Sequence, residues 1–347
     1  MKLRPLMLLA TVAVLAILAA VWVSRSRAPD ASALSPGPLA PGLAQTLDQV
    51  TQVRIVGAGD ATLVTLDRNE RGWGVAERGG YRADTEKLRA LLQAIAAARR
   101  VEAKTAVAER HAQLGVEDVS AAEARGARVD VVTPSRTWSW VIGDNLVRGT
   151  GTYVRDAAQA QSWLINANIA VEKSPANWLD RALIDIGANR IAAIEVVPAQ
   201  GPAFSLRRND DDPASDFAFV SLPKGREPAE GYRREALAGV LSGLTFEDVF
   251  AAEQHPVPEK VQVTRFALDD GRELEIRSWP HEGHTLAAIT QHLDADAEVP
   301  DADAPAADAA ALVADFQHAH AGWVYRLPAY KASNLGKPLE DYLQPVK

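Results

Sequence analysis

Five of the seven histidines fall late in the chain: His281, His284, His292, His318 and His320. His281-Glu282-Gly283-His284 and His318-Ala319-His320 could each offer an imidazole pair to zinc. A zinc site needs three or four ligands held rigidly, and the chain has no cysteine to complete one. The plainer reading is an exposed loop and the flank of a helix, and no metal ligand is assigned. Trp138 and Trp140 stand two apart in a strand-like run, so they share one face. With Ile142 they could form a sugar-binding platform or pack into a core against a helix, and core packing is the preferred reading. Gly57-Ala58-Gly59 lacks a third glycine and a following helix, which excludes a dinucleotide loop. Gly149-Thr150-Gly151 reads as a hairpin turn rather than a phosphate cradle. Neither a nucleophile-elbow motif nor HExxH occurs. Carboxylates are plentiful, but sequence alone nominates no catalytic pair. The residues therefore assign no catalytic, cofactor or metal site, and the expectation is a protein without enzymatic activity.

The elements around these residues run the same programme twice. The first opens with strand-like VRIVG at Val53, TLVTLDR at Thr62 and GWGVAE at Gly72. Asp84 is a plausible N-cap for the helix TEKLRALLQAIAAARRVEA, whose Leu88, Leu91, Leu92 and Ile95 recur at helical spacing. ARVDVVTP, TWSWVIGD, TYVRDA and QSWLIN follow as short strands, and a helix-like WLDRALIDI closes the module. The second opens at Arg190 with RIAAIEVV, FSLRRN and FAFV, then the helix and exit strand of YRREALAGVLSGLTFEDVF. TRFALDDG, RELEIRSW, HTLAAIT and GWVYRLPAY come next, the first two joined through an Asp269-Asp270-Gly271 turn. NLGKPLEDYL mirrors the closing helix. The expected fold is α+β, with two tandem, similar modules of mainly antiparallel sheet at 51–189 and 190–347.

Lys2 and Arg4 precede an uncharged run from Leu6 to Val23, followed by Ser24-Arg25-Ser26-Arg27. As a helix, this run spans roughly 27 Å, about the hydrocarbon core of a bilayer. Arg25 spoils a small-x-small cleavage site, and Trp22 suits a membrane interface. Residues 1–28 thus read as a retained single-pass anchor in the inner (cytoplasmic) membrane. The small basic excess at its start favours a cytoplasmic N-terminus and a periplasmic or otherwise extracytoplasmic body. Residues 29–50 read as a Pro/Ala-rich linker. Residues 294–308, DADAEVPDADAPAAD, read as a solvated acidic loop without the ligand spacing of an EF-hand.

The whole chain has formal charge −8. Residues 1–28 hold four basic residues and no acid, so the remainder carries −12. Such an acidic body excludes broad nucleic-acid binding.

Trp140-Val141-Ile142-Gly143, Gly151-Thr152-Tyr153-Val154-Arg155, the strand at Trp163 and Trp178-Leu179-Asp180-Arg181 before a strand at Ile191 carry a resemblance. Over roughly Val53 to Ile194 the chain resembles the bacterial family catalogued as domain of unknown function 4340. The resemblance implies a single-pass membrane protein found beside ABC exporters and gliding-motility-type transport components, and it supplies no catalytic residue. The expected role is a non-enzymatic, membrane-tethered accessory or scaffold protein of an ABC-type exporter or envelope complex. The alternative is an exported polysaccharide- or peptidoglycan-binding module, and a hydrolase is the weakest reading. No cofactor is implied.

Overall fold

The computed structural model describes residues 36–209, 216–293 and 306–345. The expected anchor at 1–28 lies outside these residues. No helix among the described residues is long and apolar enough to cross a membrane.

The first elements are β1 (Gln52–Val56), β2 (Thr62–Asn69), β3 (Gly72–Val75), β4 (Tyr81–Arg82), helix α1 (Thr85–Ala97) and β5 (Arg100–Ala103). A meander follows: β6 (Ala127–Val132), β7 (Thr137–Asn145), β8 (Thr152–Asp156) and β9 (Ser162–Ile165). After β10 (Ala182–Ile184) come β11 (Ile191–Val197), β12 (Phe204–Arg208), β13 (Phe217–Phe219), helix α2 (Tyr232–Ala238), β14 (Leu244–Thr245) and β15 (Asp248–Ala251). The chain closes with β16 (Gln262–Leu268), β17 (Arg272–His281), β18 (His284–Leu293), α3 (Ala306–His320), β19 (Trp323–Leu327) and α4 (Ala329–Leu335). The class is α+β with antiparallel strand pairing, as the alternating apolar runs imply.

The described residues cluster into two compact units, 36–63 with 89–171 and 64–88 with 172–345. In the first unit the strand order is β1-β6-β7-β8-β9-β5. Val53, Ile55, Val129, Val131, Trp138, Trp140, Val154 and Trp163 are buried in it. The residues 38–50 correct the expectation of a linker. Leu39, Ala40, Leu43 and Val50 are buried, Pro38 bridges Arg99, and Leu39 N–H donates to Ala98 O at 2.8 Å. Proline limits the backbone, but the leucines between the prolines supply apolar area worth burying.

The second unit holds the ribbon β2-β3-β4, the pair β10-β14 and the sheet β13-β12-β11-β16-β17-β18-β19-β15. Position for position, β11-β16-β17-β18-β19-β15 repeats the chain order of β1-β6-β7-β8-β9-β5. Residues 64–88 belong here for a local reason. Arg78 grips Asp248 with both ends of its guanidinium, at 2.6 and 2.9 Å. The Tyr81 ring sits edge-on to Phe246, Trp323 and Tyr325.

Local signals were realised at several points. Asp84 caps α1 by accepting the Lys87 N–H at 2.9 Å, and Leu88, Leu91, Leu92 and Ile95 are buried. Gly149 and Gly271 adopt the positive φ their hairpin turns demand.

Other elements differ from expectation. The run ending in RRVEA leaves the helix after Ala97 and becomes β5. Arg100 N–H bonds Gly37 O, and Arg99 N–H bonds the Asn166 side chain. The expected helix WLDRALIDI is a 3-10 turn (Pro175–Trp178) followed by β10, which pairs with β14. Asp180 accepts the Ala182 N–H and so favours a turn over a helix. Helix α3 begins at Ala306, so the acidic loop expected to reach Asp308 ends earlier. Its residues 294–305 lie outside the described ones.

Candidate functional site

The histidine pairs do not converge on a ligand set. His281 and His284 face each other across the β17–β18 turn, and His281 lies edge-on to His255 at 5.1 Å. His318 is exposed while His320 is 5% exposed. Among the described residues no group of three or more potential ligands could hold a metal. Gly57 to Gly59 leads through a three-residue 3-10 turn into β2, and Gly149 lies in the β7–β8 hairpin, where Leu146 N–H bonds Gly151 O.

His320 instead terminates a buried polar pair that sequence spacing could not announce. Its Nδ1 lies 2.8 Å from the Tyr325 hydroxyl, and Phe316 packs on its ring. Burial, reinforced by the Arg82 charge, lowers its pKa to about 4. Burial also raises the Tyr325 hydroxyl far above its usual range. Both groups are thus neutral near pH 7, and the imidazole tautomer sets which of them donates in the bond between Nδ1 and the hydroxyl. The buried Tyr81 hydroxyl nearby interacts with that of Tyr325 but has no hydrogen bond of good geometry among the described residues. Proton transfer between His320 and Tyr325 would leave charges in a buried site, which burial disfavours.

Trp138 and Trp140 share a face as their spacing requires, but only 6% and 1% of their surfaces are exposed. They are core residues and offer no flat aromatic platform to a sugar ring. Their edges do line a groove of about 660 Å³ within the first unit, in the size range of ligand sites. Leu39, Arg100, Arg128, Arg136, Ser139 and Asp156 contribute to its walls. Arg136 lies over Trp138, 4.8 Å from the ring centroid, and Arg100 lies 5.5 Å from that of Trp163. Arg128 is tied to Asp60 and to the buried Asp130, at 3.1 and 3.3 Å. Asp156, the acid in the wall, accepts the Ala158 N–H.

Arg155, on β8, shapes one side of this groove. It is 5% exposed. It donates from Nε to Val116 O at 2.8 Å and from Nη1 to Gln159 O at 3.0 Å. It thereby clamps the loop 156–159 that borders the groove. Gly143 is equally structural, because a Cβ there would sit 2.3 Å from Leu114 O. Trp178 is buried with its indole N–H on Glu172 O, and Arg181 folds back onto Ala176 O and Asn177. The residues that carried the family resemblance are thus those that hold loops onto sheets.

With that geometry established, the chain belongs to the family described as domain of unknown function (DUF4340), which matches residues 73–263. No curated protein matches the chain. No solved structure matches it.

Proposed function

We propose that this protein is a non-enzymatic, membrane-tethered accessory or scaffold protein of an ABC-type exporter or envelope complex, with an extracytoplasmic body. The observation that carries the reading is the fastening of the segment after the apolar run. Leu39 is the first buried leucine among the described residues, directly after Gly37 and Pro38 have joined the first unit, so no more than residues 24–38 separate the run from it. Even fully extended, they reach at most about 54 Å. A retained anchor would therefore hold the first unit close to the bilayer, at the height where membrane complexes expose their outer domains. Such tethering raises effective concentration toward a membrane partner to roughly millimolar for a short flexible connection. The repeated strand order supports the further proposal that the body arose from two copies of one α+β module.

The test is crosslinking of the full-length protein in its native membrane, followed by co-purification and identification of partners. Exporter or envelope components recovered with the intact chain, and lost when the body is exported without residues 1–28, are the expected result. Recovery of the mature protein as a soluble species beginning near Ala28 would end the tethering reading.

A further inference from the structure

We propose that the groove beside β7 is a docking site for an extended peptide segment that carries carboxylates. The backbone makes the first half of the case. Thr133 and Arg136 exchange N–H···O bonds across the β6–β7 turn. Antiparallel pairs alternate, so Thr137, opposite Val132, turns its N–H and C=O away from β6. On that side β8 ends at Asp156, opposite Trp140. Ala157 N–H makes the next bond, to Ser139 O at 3.0 Å. Beyond it, the N–H and C=O of Thr137 have no partner among the described residues. They are one donor and one acceptor left open at the end of β7, beside the groove, where one residue of an extended peptide could pair with them.

Charge makes the second half. The guanidinium groups of Arg100 and Arg136 line the same groove, and no described carboxylate or carbonyl pairs with either. Arg100 Nε is buried without a hydrogen-bond partner. Both groups are held over indole rings, which fixes them while leaving their donors available for a carboxylate. In a body of formal charge −12, two unpaired arginines in one groove mark a place where an acidic partner is attracted. A glycan fits less well, because the tryptophan faces are buried and the open N–H and C=O of Thr137 are the pair that one residue of an extended peptide satisfies.

The inference stands apart from the tethering proposal, since binding can be measured on the isolated full-length protein in detergent. The probe is a set of fluorescent, end-capped pentapeptides alternating Glu or Asp with Val, Thr or Tyr. Saturable binding is expected, weakened about tenfold or more by Arg136→Gln and by Arg100→Gln. It should also weaken when salt rises from about 50 to 500 mM. Arg136 is exposed, so that variant tests the charge without disturbing the fold. Peptides N-methylated at alternate residues keep their charge and should bind poorly, because they cannot complete the ladder. Equal binding of the Gln/Asn counterparts would overturn the proposal. So would equal binding of the N-methylated peptides, preference for an oligogalacturonate, or failure of the whole set to bind.

Discussion

Each sheet carries an ionic row across the same three strand positions, and the two rows have opposite sense. In the first unit, Arg54, Asp130 and Ser139 stand side by side on β1, β6 and β7. Asp130 sits at the centre, 3.2 Å from Arg54, and accepts the Ser139 hydroxyl at 2.6 Å. In the second, Glu195, Arg265 and Glu275 stand on β11, β16 and β17. Arg265 is central, 2.6 Å from Glu195 and 2.8 Å from Glu275. Arg277 adds a further pair to Glu275 at 2.6 Å. Burial raises the Glu275 pKa, but Arg277 and Arg265 outweigh it and hold the carboxyl below its usual range. The second sheet therefore neutralises its own charges. In the first unit Arg100 and Arg136 stand apart from the ionic row, over Trp163 and Trp138, and neither has an acid partner among the described residues. One strand order thus supports a closed polar face in one unit and an open, cationic groove in the other. Strand order sets where a residue stands, and side-chain partners decide whether it is available.

The largest expected effect tests how the first unit is built. Gly143→Ala would force a Cβ against the Leu114 carbonyl, and should destabilise the protein by about 3 kcal/mol or more in denaturant melts. Gly149→Ala has open space around it and should cost only about 1 kcal/mol for its positive φ. Equal losses for the two variants would show that the packing of residues 114–116 onto β7 is dispensable.

The next effect belongs to the second unit. Unfolded histidine titrates near pH 6.5, whereas folded His320 titrates at about 4. Between those values the unfolded chain binds a proton that the folded chain refuses. Stability contributed by neutral His320 is therefore complete above about pH 6.5 and declines as pH falls toward 4. The full loss is on the order of 3 kcal/mol. His320→Gln should flatten this part of the pH–stability curve, and an unchanged slope would remove His320 as its source.

Lys331 anchors α4 by donating to the carbonyls of Gly239, Val240 and Ser242, at 3.1, 3.0 and 2.6 Å. Lys331→Met should cost about 1–2 kcal/mol in thermal or chemical melts, because those acceptors lose a charged donor. The smallest effects separate the two ionic regions most sharply. Arg265→Gln should destabilise by about 1 kcal/mol without changing peptide binding. Arg136→Gln should leave the melting curve within about 0.5 kcal/mol and weaken peptide binding about tenfold or more. If both variants behaved alike, the contrast between a closed and an open face would fail.

Much of the fold is written in short-range pattern. The strand runs from VRIVG to QSWLIN and from RIAAIEVV to GWVYRLPAY became strands, because period-two alternation of apolar residues matches a pleated sheet with one buried face. The Asp84 cap, the Asp269-Asp270-Gly271 turn and the glycine at 149 act within a few residues, so their outcome depends on little else. Trp138 and Trp140 share a face for the same geometric reason. Tertiary structure decided what depended on distant partners. It drew Leu39 and Leu43 out of a Pro/Ala-rich stretch into a core. It converted residues 182–184 from helical periodicity to a strand by offering β14 as a neighbour. It buried His320 against Tyr325 while leaving His318 exposed. Among the described residues it also left Arg100 and Arg136 without acids while pairing Arg265 twice. The sequence determines which groups can donate, accept or be buried; only the folded chain determines which of them meet, because burial and ion pairing depend on residues brought together from tens of positions apart.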